Sequence, residues 1–115
     1  MIEKTILDYL RDQLEIPVYM EEPYDVSATY ILLEKTASSD ENHIQTSTFA
    51  IQAYGNSLLE AATLSGQVKA VMRVAADNIP EVSRCKLNSE YNFTDQQTKR
   101  YRYQSVWNLT HYEEE

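Results

Sequence analysis

The sequence predicts an α+β domain, an antiparallel sheet of about five strands with two helices packed on it. Two observations carry this reading. From Arg84 to Tyr112 the residues alternate with period two, apolar and aromatic against polar and basic, the signature of half-buried strands. Between Gly55 and Pro80 the period changes to 3.6, and helices grouped beside a set of strands, instead of alternating with them, define the class. A chain of 115 residues forms one domain, here 1–115, and buries roughly two-thirds of the surface its unfolded form exposes.

Each element follows from local chemistry. Ile2, Ile6, Tyr9, Leu10 and Leu14 recur at helical spacing, with Glu3, Lys4, Asp8, Arg11 and Asp12 on the remaining surface, so residues 2–14 form an amphipathic helix. It ends before Pro17, which disfavours helical geometry at Ile16. Residues 18–22 make a short strand that Pro23 confines to an edge. Residues 29–36, TYILLEKT, make a strand with apolar side chains on both faces. The polar run ASSDEN at 37–42 is read as a turn, and the stretch from His43 to Tyr54, with Phe49 and Ile51 facing the core, returns as the second strand of a hairpin.

Ser57 followed by Glu60 fits a capping box. Leu58, Ala61, Ala62, Ser65, Val68, Met72, Ala75 and Ile79 then mark one helical face up to Pro80, and Gly66 implies a close backbone contact or a kink. The last hairpin has Cys85, Leu87, Tyr91 and Phe93 in one strand and Tyr101, Tyr103, Trp107 and Leu109 in the other. Setting Phe93 opposite Tyr101 places Tyr91 against Tyr103, Ser89 against Ser105, Leu87 against Trp107 and Cys85 against Leu109. In that register the small polar interruptions coincide and the aromatic residues all face the core. Glu113 to Glu115 form a solvated, disordered acidic tail.

Little in the chain points to catalysis. His43 and His111 have no metal-ligand spacing to each other or to Cys85, the single cysteine, which is read as an inert core thiol. Two glycines leave no phosphate-cradling loop. No enzyme activity, metal or cofactor is expected. The net charge of -8 and pI near 4.7 argue against a dedicated nucleic-acid binder. Neither a signal peptide nor a membrane span is indicated, so the two glycosylation sequons, at Asn92 and Asn108, are accidental.

Charge is unevenly distributed. Residues 1–41 hold three basic and ten acidic side chains, Glu21, Glu22, Asp25, Asp40 and Glu41 among the latter. Residues 84–102 hold five basic and two acidic ones, and Arg84, Lys86, Lys99, Arg100 and Arg102 are half of all the basic residues. Two consequences are open. Either the hairpin neutralises acidic residues of its own subunit, or it meets the acidic segment of a neighbour head to tail, a contact that closes into a ring if the rotation allows. The segments 38–43 and 94–100 are the candidate contact loops.

Several stretches carry a family resemblance: LLEKT followed by ENHI, FAIQAY leading into SLLEAA, and LNSEYNFTD followed by YRYQSVWNLTHY, together with IEKTILDYLRDQL and PVYMEEP near the start. With them almost the whole chain resembles the small tail-terminator, or tail-completion, proteins of long-tailed phages and prophages of Gram-positive bacteria. The resemblance implies a structural virion protein at the head-proximal end of the tail, made in the bacterial cytoplasm. Its partners would be itself, usually as a hexameric ring that can form on the tube alone, the tail-tube protein and the head-tail connector. There it would stop tube polymerisation and offer the head-joining surface, and an acidic lumen would let DNA pass without sticking. The alternatives are another connector or stopper ring and a non-viral interaction module.

Overall fold

The apolar spacing at the N-terminus folds as expected in the computed structural model, which describes residues 1–24 and 29–112. Helix α1 (Ile2–Gln13) buries Ile2, Ile6, Tyr9 and Leu10. Its end is followed by β1 (Val18–Tyr19), which pairs parallel with β2 (Tyr30–Glu41). Arg11 Nε donates to the Val18 carbonyl at 3.0 Å, and the Ile31 amide donates to the Pro17 carbonyl at 2.8 Å. The expected edge strand is thus present but only two residues long, and its parallel pairing makes the sheet mixed.

β2 continues through the polar run read as a turn. Ala37 to Glu41 pair with Thr48 to Ile44 of β3 (Ile44–Gly55), because a partner strand supplies ladder bonds that composition does not forbid. The reversal is confined to Asn42 and His43, with φ of 53° and 67°, a two-residue turn with both central residues left-handed, which matches the twist of the flanking strands.

The second helical stretch divides into α2 (Leu58–Arg73) and a single turn α3 (Ala75–Asn78), separated at Val74. The Ser57 hydroxyl caps α2 by accepting from the Glu60 amide at 3.1 Å. Gly66 explains neither a contact nor the break: a Cβ added there meets nothing within 4 Å.

Strands β4 (Val82–Asn92) and β5 (Tyr101–Tyr112) complete a sheet of order β1-β2-β3-β5-β4. One face is covered. Leu33, Phe49, Ile51, Trp107 and Leu109 join Leu64, Val68 and Met72 of α2 and Ile6 and Leu10 of α1 in one core, and the Tyr9 hydroxyl donates to the Val71 carbonyl at 2.7 Å to tie the helices together. Polar groups inside it are matched. The Trp107 indole donates to Ser105 Oγ at 2.9 Å, and Ser47 Oγ lies 2.7 Å from His111 Nε2.

The hairpin register is as expected for Cys85–Leu109 and Leu87–Trp107, then shifts at a bulge between Leu87 and Ser89. Beyond it Glu90 faces Ser105, Tyr91 faces Gln104 and Asn92 faces Tyr103. One extra residue turns every following side chain to the other face. Tyr91 and Phe93, assigned to the core from sequence, are therefore 40% and 41% exposed on the bare face. Glu90 takes the inward position instead, accepting from Ser65 Oγ at 2.6 Å and Lys69 Nζ at 2.9 Å. Tyr101 and Tyr103 are half-buried, and Leu87 packs against the core edge.

Candidate assembly surfaces

The sheet face opposite the helices carries a connected aromatic and polar array in which Tyr30 and Tyr54 are buried. Tyr30 and Tyr54, opposite each other on β2 and β3, stack at 4.4 Å with 10° between the rings. The Arg100 guanidinium lies 4.7 Å from the Tyr54 ring centre, and that of Arg102 lies 5.7 Å from Tyr54 and 4.4 Å from Phe93. Arg102 Nη1 donates to the Tyr54 hydroxyl at 2.8 Å, and that hydroxyl donates to Gln52 Oε1 at 2.9 Å. Gln52 Nε2 donates in turn to Gln104 Oε1 at 2.8 Å, and Gln104 donates to the Tyr91 hydroxyl. Four strands are thereby cross-linked on a face with no helix over it.

Arg100 ends this array at the β1 side, donating from Nη1 to Glu22 and from Nη2 to the Tyr30 hydroxyl. The hydrogen bond from Arg100 holds the Glu22 carboxyl below its ordinary range, against a smaller opposing effect of burial. Burial, then the neighbouring Tyr54, pushes the Tyr30 hydroxyl up to about 12. A shallow pocket of about 220 Å³ lies beside this pair, lined by Tyr30, Tyr54, Gly55, Asn56, Lys99, Arg100 and Tyr101.

The candidate contact residues thus divide. Arg100 neutralises Glu22 of the same subunit, and Arg102 is held by the Phe93 carbonyl at 2.6 Å and by Tyr54, so these two follow the within-subunit alternative. Arg84 and Lys86 are exposed on the outer strand β4, Asp40 and Glu41 are exposed at the end of β2, and Lys99 lies in the β4–β5 connection with φ of 56°. Glu21 is exposed beside Glu22, whereas Asp25 and the expected acidic tail, Glu113 to Glu115, lie outside the described residues. The sequence reading missed Tyr30, Gln52, Tyr54 and Gln104 as a group. Their signal was available: Gln52 with Tyr54 and Arg102 with Gln104 share strand parity.

Cys85 is half-buried, and burial pushes its thiol up to about 12, far from a reactive thiolate at neutral pH. Among the described residues no three His, Cys, Asp or Glu side chains converge to hold a metal ion, and no helix is long and apolar enough to cross a membrane. Compared with protein-family models and with curated proteins, the chain matches none.

Proposed function

We propose that this chain is a structural virion protein that caps the head-proximal end of a phage tail tube as a ring, ending tube polymerisation and presenting the head-joining surface. The family resemblance supplies the role, and one geometric observation supports it. The two hairpin connections leave the sheet at opposite ends: the row Asn92–Tyr103–Ala53–Ile31 lies next to the 93–100 connection, whereas Glu41 and Ile44 flank the Asn42-His43 turn at the other. A ring lodged between two different partners needs two chemically different rims. In a subunit 44 Å long whose strands ran along the ring axis, one rim would carry Asp40 and Glu41 and the other Lys99.

Electron microscopy of particles made without the protein tests the reading. Overlong tubes are the expected outcome. Tubes of normal length that fail to join heads would favour a connector or stopper ring instead, and unaltered virions would leave only a non-viral interaction module.

A further inference from the structure

Among the described residues both outer edges of the sheet are open over long stretches. β1 occupies the edge of β2 only at Ile31 and Leu32, so that among the described residues Leu33 to Glu41 have ladder partners on one side only. On the far side β4 is the outermost strand over its 11 residues, Val82–Asn92. The segment from Val82 to Glu90 lies level with the open part of β2, whereas Tyr91 and Asn92 are level with Leu32 and Ile31, where β1 lies, and must bend clear of the β1 of a neighbour. Open edges of this length are ready templates for another strand.

Their levels and directions also correspond. Reading the pairings across the sheet, Glu90 is level with Leu33 through Ser105 and Ile51. Lys86 is level with Ala37 through Asn108 and Thr48, and Arg84 with Ser39 through Thr110 and Thr46. β2 and β4 run in opposite senses, since β3 and β5 each reverse the chain once between them and β4 reverses it again. A copy placed alongside in the same orientation, without offset, therefore presents its β2 antiparallel to β4. The β2 bulge at 35–37 and one of the two β4 irregularities, at 87–89, fall within about one row of each other, so both edges bend at nearly the same height there, whereas the second β4 irregularity, between Val82 and Arg84, lies at the far end of the paired segment.

Charge selects this pairing over β4 with β4 or β2 with β2. Lys4, Lys35, Lys69 and Arg100 each meet an acidic partner, but among the described residues Arg84, Lys86, Asp40 and Glu41 form no ion pair. Lys86 lies between the core-facing Cys85 and Leu87, which puts it and Arg84 on the bare face, the face shared by Ser39 and Glu41. With Arg84 opposite Ser39, its guanidinium is diagonal to Glu41, a spacing that long side chains bridge. We infer that β4 of one subunit pairs antiparallel with the open part of β2 of a second copy, continuing the sheet from subunit to subunit by a head-to-tail contact. The inference rests on the self-assembly half of the function proposed above and on nothing specific to a tail.

Thiol trapping tests it. Ser39→Cys and Arg84→Cys, both at exposed positions, are made separately, checked for native melting, then mixed and mildly oxidised. Purified protein at high concentration and tails assembled from the two variants are treated alike. The expected result is a disulfide-linked pair in the mixture at several-fold the yield of either variant alone, and a ladder of covalent oligomers from the double variant. Equal yields from a single variant, or no trapping in either preparation, would overturn the inference. As a second measurement, on chains without the added cysteines, Arg84→Glu with Lys86→Glu should lower the self-association seen by sedimentation at high concentration, and mixing with Glu41→Lys should restore it; an oligomer mass unchanged by the double variant would overturn the inference. Trapping in purified protein together with normal tails in its absence would sink the terminator reading and keep the pairing. Overlong tails without trapping would do the reverse.

Discussion

The two glycines behave oppositely, and the difference follows from what a methyl group would meet. Gly66 is exposed in the middle of α2 with open space where a Cβ would project. Gly66→Ala is expected to stabilise the fold by about 1 kcal/mol through helix propensity and a less flexible unfolded chain. At Gly55 an added Cβ would lie 2.7 Å from the Ala61 amide nitrogen, backbone that cannot step aside. Gly55→Ala is expected to cost about 1–3 kcal/mol as overpacking. Urea midpoints of the two variants check both signs, and a loss of stability at Gly66 would show that α2 is held differently. Which glycine mattered was not legible from spacing, because Gly66 interrupts a helix whereas the contact at Gly55 depends on where α2 begins in space.

At the scale of elements, alternation in β4 and β5 was enough to identify the hairpin and to set Leu87 against Trp107, since large apolar groups must share a face. It was not enough to locate the bulge, which no residue type marks. Ser89 and Ser105 favoured an unbroken register, yet Ser105 turns out to serve the Trp107 indole, and Glu90 gains partners on α2 that lie far away in sequence. The same limit hid the Arg100–Glu22 contact, which joins the β4–β5 connection to the segment after β1. That contact gives a test of the bare-face array. Both side chains are partly exposed, so the ion pair contributes no more than about 1 kcal/mol, with about 0.5–1 kcal/mol from the guanidinium over Tyr54. Arg100→Met is thus expected to cost roughly 1–2 kcal/mol by these two effects, and Glu22→Gln less. The double variant should cost less than the sum. Strict additivity in a double-mutant cycle would mean that the pair does not couple.

For the whole molecule the decisive balance is between acidity and internal pairing. Carboxyl groups at separate places in the fold are held below their ordinary values: Glu3 by the hydrogen bond from Lys35, Glu22 by that from Arg100, and Asp95 by the Gln97 amide. Glu90 joins them because, although burial alone would raise it, hydrogen bonds from Ser65 and Lys69 outweigh that effect. A carboxyl whose folded value is depressed contributes stability that is complete above its unfolded value, 4.5 for Glu and 3.8 for Asp, and is lost as pH falls through the folded value. Repulsion works the other way, because a chain of net charge -8 relaxes as pH approaches its pI near 4.7. The melting temperature should therefore stay level or rise slightly from pH 7 to about 5, where protonation of these paired carboxyls has barely begun, and fall steeply below 4.5. Glu90→Gln should lower the melting temperature at pH 7 and flatten the acid limb, since the pairing of that residue with Lys69 is then absent at every pH. A melting temperature unchanged between pH 5 and 3 would mean that these contacts do not stabilise the fold. Asp40 and Glu41 are exposed and form no ion pair among the described residues, which leaves their charge available for contact between subunits.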